Sequence, residues 1–144
     1  MSEISYNSVF DGISLALHNA YPDREVRASE VNQGLHRGDF TVALVSAGHS
    51  KQVGRRYLRS PVFDVIYYPK AEGVMRSAEC IGIADFVTLL LGSITTPEGD
   101  VIHGTVLDWT ITDGVLHVPV RYDHHIYIPQ DEETMETLTI QQEG

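Results

Sequence analysis

The dipeptide Asp113-Gly114, set between two runs of β-forming residues, fixes an antiparallel hairpin in this chain. Asp-Gly favours the type I′ turn, whose two central residues take positive φ and whose twist matches the strands it joins. Before the turn, residues 106–112 (VLDWTIT) read as a strand. After it, Leu116, Val118, Val120, Tyr122 and Ile126 alternate, and the period of two predicts that they face the core together with Leu107, Trp109 and Ile111. Trp109 and Tyr122 are thus expected to be core residues whose loss unfolds the protein.

A second hairpin is predicted upstream. Phe40, Val42 and Leu44 alternate with Thr41, Ala43 and Val45, apolar enough on both sides to suit a central strand with both faces covered. Residues 47–54 (AGHSKQVG) are polar, include Gly48 and Gly54 and lack periodicity, so they read as a long projecting hairpin loop. The chain returns as RRYLRSPVFDVIYYP, with Phe63, Val65 and Tyr67 on one face and Val62, Asp64, Ile66 and Tyr68 on the other. A shorter strand is expected over residues 24–31, with Val26 and Ala28 opposed to Arg27 and Ser29.

Two helices complete the pattern. Val9, Ile13, Leu17 and Ala20 recur at helical spacing before Pro22, predicting a helix over 5–20. Between Glu72 and Leu91 the residues Val74, Ala78, Ile81, Ala84, Val87 and Leu91 predict a second, whose last turns are apolar nearly all round and are expected to be deeply buried. Thr95, Pro97 and Gly99 then break the chain. The sum is an α+β fold: a mainly antiparallel sheet of about five strands packed by two helices, in the order α-β-β-β-α-β-β. A length of 144 residues suits one domain that needs no disulfide or metal staple. Residues 130–144 (QDEETMETLTIQQEG) are acidic and polar and are expected to form a flexible tail, which bounds the domain at 1–129.

The search for chemistry yields little. His103, His117, His124 and His125 cluster in sequence near Asp108 and Asp123, but adjacent residues on a strand point to opposite faces, and no H-E-x-x-H spacing occurs. A small metal-dependent enzyme built on His103, His117 and His124 is therefore kept only as an alternative. Cys80, the lone cysteine, permits neither an internal disulfide nor a multi-thiolate site; it reads as a small buried hydrophobe and predicts synthesis in a reducing compartment. No Gly-x-Ser-x-Gly elbow is present, and Gly34, Gly38, Gly48 and Gly54 form no phosphate-binding loop. Glu132 and Glu133 fall in the expected tail, where no rigid acid/base site can be held. The expectation is a protein that is not an enzyme and has no cofactor and no metal.

Charge narrows the partners. Twenty acidic residues against ten basic give a net charge of −10, which argues against general nucleic-acid binding. Residues 1–10 lack the features of an export signal and no stretch approaches the roughly 20 apolar residues of a membrane span, so no membrane role is expected. Against this background Lys51, Arg55, Arg56 and Arg59, with Tyr57 among them, form the one dense cationic patch. It fits a phosphate contact, a solvated strand edge protected from aggregation, or a docking patch for copies of this acidic chain or for an acidic partner. The last suits the whole-chain charge best, which makes the four cations a candidate subunit or tube interface. An acidic, monomeric binding module that mimics nucleic acid is a further alternative.

The stretches GRRYLRSPVFDVIYYP and DGVLHVPVRYDHHI, with DGISLALHNAYPD and EVNQGLHRGDFTVALV, are similar to segments of tail-terminator-like proteins from phages and prophages of Gram-positive bacteria. The resemblance runs from Phe10 to about Ile126 and leaves the acidic tail outside. It departs at one point: the family pattern has proline directly before the Phe-Asp pair, whereas Pro61 stands one position earlier with Val62 between, which bears on strand geometry there. The resemblance implies a subunit that assembles with its own copies into a ring, hexameric in the family's manner. That ring would sit on the head-proximal end of the tail tube in the virion, stop tube polymerisation and face the head-tail connector proteins. The subunit would be made in the host bacterial cytoplasm, with the tail-tube protein as its partner, and DNA would pass through the lumen without sequence-specific binding. A negative channel wall would repel that DNA. Another neck or tail-completion subunit would share the same features.

Overall fold

The computed structural model describes residues 4–28 and 37–128. The expected tail with Glu132 and Glu133, as well as Ser29, Val31 and Gly34, lies outside the described residues. Helix α1 (Tyr6–Ala20) begins at Ser5, whose hydroxyl caps the Ser8 amide at 3.0 Å, and turns Val9, Ile13 and Leu17 into the core. A short strand β1 (Val26–Ala28) follows, then the long pair β2 (Phe40–Lys51) and β3 (Arg56–Tyr67). Helix α2 spans Met75–Leu90. The remaining strands are β4 (Ser93–Thr95), β5 (Val101–His103), β6 (Thr105–Val106), β7 (Thr110–Thr112), β8 (Val115–Arg121) and β9 (His124–Tyr127).

The expected α+β architecture is present, with a richer strand count. Seven strands form one sheet in the order β1-β2-β3-β8-β6, with β7 on β8 and β9 on β3, and β4 and β5 form a separate hairpin. Among the described residues only the β1–β2 pair is parallel. The anticipated Asp-Gly turn is made: Asp113 and Gly114 have φ of 55° and 77°, as a type I′ turn demands. Its upstream strand is broken into β6 and β7: the Leu107 amide still donates to the Pro119 carbonyl at 2.8 Å, but residues 107–109 are not strand.

Both helices pack on one face of the sheet. Phe40 and Val42 of β2, Phe63, Val65 and Tyr67 of β3, and Leu116, Val118 and Val120 of β8 stand in register on that face and close over Val9, Ile13, Leu17, Cys80, Ala84 and Val87. The opposite face, with Ala43, Val62, Asp64, Ile66 and His117, is only half-buried, so β2 is covered on both sides at Phe40, Thr41 and Val42 and not beyond, short of what its composition suggested. The C-terminal half of α2 also departs from expectation. Cys80, Ala84 and Val87 form the single stripe a helix needs to lie on a sheet, and Leu89, on the far side, is 82% exposed.

Two close contacts lock the second half. Gly12 of α1 lets β4 approach, since a Cβ there would stand 3.1 Å from Ile94 Cδ1 and 3.2 Å from the Thr95 carbonyl. Tyr122, wholly buried as expected, donates its hydroxyl to the Leu91 carbonyl at 2.6 Å, and Gly104 lies close against its ring. Burial pushes the Tyr122 phenol well above its ordinary range. Trp109, by contrast, is 37% exposed and does not belong to the core, because it lies where the chain is not strand.

These contacts order the mutational costs. Gly104→Ala would place a methyl 2.4 Å from Tyr122 Cε1 and is expected to destabilise by about 1–3 kcal/mol. Tyr122→Phe, which leaves the Leu91 carbonyl without its donor, should cost about 1 kcal/mol. Trp109→Ala should cost less than Tyr122→Ala, which opens a cavity worth roughly 3–5 kcal/mol. Urea midpoints of the four variants check the order.

Candidate functional site

The sheet does not end where its core ends. At the β2 register shift between Leu44 and Ser46 one extra residue enters, and β2 and β3 continue together to the pair Lys51–Tyr57 as an arm beyond the helices. The segment expected as a loop over 47–54 is therefore strand through Lys51, and only residues 52–55 turn. Its polar side chains find cross-strand partners on β3: the His49 ring stacks on Tyr57 with centroids 4.9 Å apart, and Arg59 Nε donates to His49 Nδ1 at 3.3 Å. Gly54, at φ 69°, gives the tip its positive-φ position.

Strand β9 braces the other edge of β3 from Arg59 to Arg56, and the Ile128 amide reaches the Arg55 carbonyl at 3.0 Å. Pro61 sits where the partner of β3 changes from β9 to β8, accepting from the Tyr122 amide at 2.9 Å. A strand residue's N–H and C=O point to the same side. The missing donor of Pro61 thus falls at the break between β8 and β9, which accommodates the shifted proline.

The four cations of the sequence patch share this arm and divide between two places. Lys51 and Arg56 are exposed, and Arg55 lies over the Tyr127 ring at 5.0 Å, all three at the tip. Arg59 is turned back toward α1, 4.7 Å above the Tyr6 ring. Lys51, Arg55 and Arg56 form no salt bridge among the described residues. Beside them Val53 is 91% exposed, and Leu44 and Val45 are open at the base of the arm. Sequence periodicity could not find these apolar positions, because they become exposed only through the arm's projection.

The histidines do not converge. His117 faces the half-buried side of the sheet and bonds Asp64 at 2.8 Å, His124 lies on the helix side of β9, and His103 is exposed on β5. The three-histidine metal alternative therefore fails on geometry, and no cluster of metal-binding side chains occurs among the described residues. Cys80 is buried in α2, where loss of solvent raises its thiol above the ordinary value, as fits a packing role.

One polar knot fixes the opposite end of the sheet. Arg24 donates to the Gly38 carbonyl at 2.8 Å and to the Tyr67 hydroxyl at 2.7 Å, and Tyr67 donates in turn to Glu79 at 2.5 Å. Burial would raise the Glu79 carboxyl, but the bonds from Tyr67 and from the Lys70 and Ala71 amides outweigh it and hold the group below its usual value. The knot is saturated by the fold and offers no acid or base to a substrate. No described helix is long and apolar enough to cross a membrane.

The described residues thus combine a projecting arm with a sheet that packs its helices on one face. A family model described as phage tail terminator protein matches residues 8–134. The chain belongs to the phage tail terminator family. Membership makes it a structural component of bacteriophage tails that acts with other tail and head components. No curated protein matches it. Within this terminator the match spans both helices' core stripes, all of the arm and β9, and runs past the last described residue.

The terminator's stability should carry a histidine signature. His124 Nδ1 bonds the Tyr122 carbonyl at 3.2 Å, so the proton sits there and Nε2 is left buried with no partner. Burial, aided by the nearby charge of Arg59, lowers the imidazole below its ordinary 6.5. The unfolded chain then binds a proton before the folded one does as pH falls. The contribution of neutral His124 to stability is therefore expected to be full above 6.5 and to be lost as pH drops below it. The urea midpoint is expected to fall between about pH 7.5 and about pH 5.5, and His124→Leu should flatten that decline; a slope as steep as the wild type's would assign it to other groups.

Proposed function

We propose that the protein forms a ring, hexameric in the family's manner, that caps the head-proximal end of the tail tube. There it stops polymerisation and offers a surface to the head connector. The observation that carries this reading is the arm: a β extension whose tip carries exposed Lys51, Arg56 and Val53, with Arg55 resting on the Tyr127 ring beside them. On an acidic chain a basic projection suits a neighbour of the same kind or an acidic tube rim. Lys51, Arg55, Arg56 and Arg59 form one side of the contact, with Arg59 setting the arm's root through Tyr6 and the other three meeting the neighbour.

The proposal includes no catalysis, no cofactor and no sequence-specific DNA contact, with DNA passing through the lumen. Residues 1–129 act as the domain, and 130–144 as an acidic appendage. The subunit is made in the host bacterial cytoplasm and ends in the virion.

Mixing the purified protein with its own tail-tube protein during polymerisation, and measuring tube lengths and ends by negative-stain electron microscopy, tests the reading. Short tubes carrying rings at one end are expected; unaltered lengths and bare ends would transfer the chain to another neck or tail-completion role. Arg55→Glu with Arg56→Glu should leave thermal unfolding within about 0.5 kcal/mol of the wild type while weakening capping. Undiminished capping would remove the arm tip from the contact.

A further inference from the structure

A heterologous ring needs a second patch that receives the first. Beside the C-terminal half of α1 and the start of β1 lies an open hollow of about 770 Å³. Leu15, Pro22 and Val26 supply apolar surface, and Asp11, Asp23 and Glu25 supply the acidic rim. Asp11 and Asp23 form no salt bridge among the described residues, whereas Glu25, exposed to solvent, pairs with Arg27 at 3.1 Å. Arg24, also on the wall, has its guanidinium engaged by the Gly38 carbonyl and Tyr67. Ser14, lining the same hollow, has its hydroxyl buried with no hydrogen-bond partner.

The arm tip is the inverse of this hollow. It carries one exposed apolar side chain, Val53, among the cations Lys51, Arg55 and Arg56, where the hollow is lined by Leu15, Pro22 and Val26 together with the carboxylates Asp11, Asp23 and Glu25. The two cannot meet in one molecule. Val26 pairs with Phe40 at one end of β2 and Lys51 lies at the other, roughly 35 Å away at about 3.3 Å per residue. Only a second copy can bring tip and hollow together, and the contact so made is head to tail.

We infer that the arm tip of one subunit seats in the acidic-rimmed hollow beside α1 and β1 of the next, Val53 against Leu15, with Lys51, Arg55 and Arg56 facing Asp11, Asp23 and Glu25. This rests on the ring reading and names the acceptor that reading lacks. Each subunit gives one tip and one hollow, so the contact repeats until the ring closes.

The test is a Val53→Cys, Leu15→Cys double variant, oxidised both in concentrated solution and after addition to polymerising tubes. Cys80 is fully buried and stays out of the reaction. A ladder of cross-linked multimers is expected from the double variant, with no ladder beyond dimer from either single variant. Asp23→Lys with Glu25→Lys should raise the protein needed for capping about tenfold, and adding Arg55→Glu and Arg56→Glu to the same chain should recover most of that loss. A folded double variant that gives no ladder in either setting, with charge reversals that leave capping unchanged, overturns the contact. Capping by the wild type is scored in the same preparations: bare tube ends there overturn the terminator reading, and the cross-link in solution then decides the contact by itself.

Discussion

Strand β3 hydrogen-bonds along both edges, to β2 on one side and to β9 and then β8 on the other, and the rest of the molecule is arranged around that pairing. A backbone amide or carbonyl taken from water without a partner costs more than most side-chain contacts return. A strand with both edges filled is therefore hard to displace by even one residue. Its alternation then dictates where the core lies: Phe63, Val65 and Tyr67 fall on the helix side together with their neighbours on β2 and β8. A slip of one position would send every one of them to the half-buried face.

The same strand serves two regions of different character. Near Tyr67 it is anchored through side chains, by the chain of donors and acceptors that runs from Arg24 through the phenol to Glu79 and the amides after β3. Near Arg56 it is held chiefly by backbone pairing and by aromatic and cation contacts on its surface. The β2 bulge at Val45 marks the change, and beyond it the strands run outward, touching α1 only through Arg59 on Tyr6 among the contacts described. An arm built this way is stiff, because it is three-stranded as far as β9 reaches, yet it leaves its tip side chains available. For a family whose members work by meeting tail and head components, stiffness and availability together are what an assembly contact requires.

Charge distribution follows the same division. The body of the protein carries the excess of carboxylates, and the cations concentrate where the arm ends. Like-charged bodies repel at long range, so in the proposed contact the charges favour the orientation that brings basic tip to acidic rim.

Much of this was written in local sequence. The Asp-Gly turn, the α1 stripe of Val9, Ile13 and Leu17, and the alternation through Leu116, Val118, Val120 and Tyr122 are short-range signals set by backbone conformation and period, and they appear where the residues place them. So is the existence of a cationic patch, and the stretches that resemble tail terminators led to the family. What the sequence could not supply were decisions made between distant segments. Polar residues 46–51 became strand only because β3 offered a full-length partner, and Trp109 left the core because residues 107–109 are not strand. Leu89 was left outside because a sheet covers one stripe of a helix, and one patch of four arginines and lysines became three at a tip and one at a root. Local periodicity fixes which side of its own strand or helix a residue occupies; which of those sides is buried, and which projects toward another molecule, is fixed only when the elements meet.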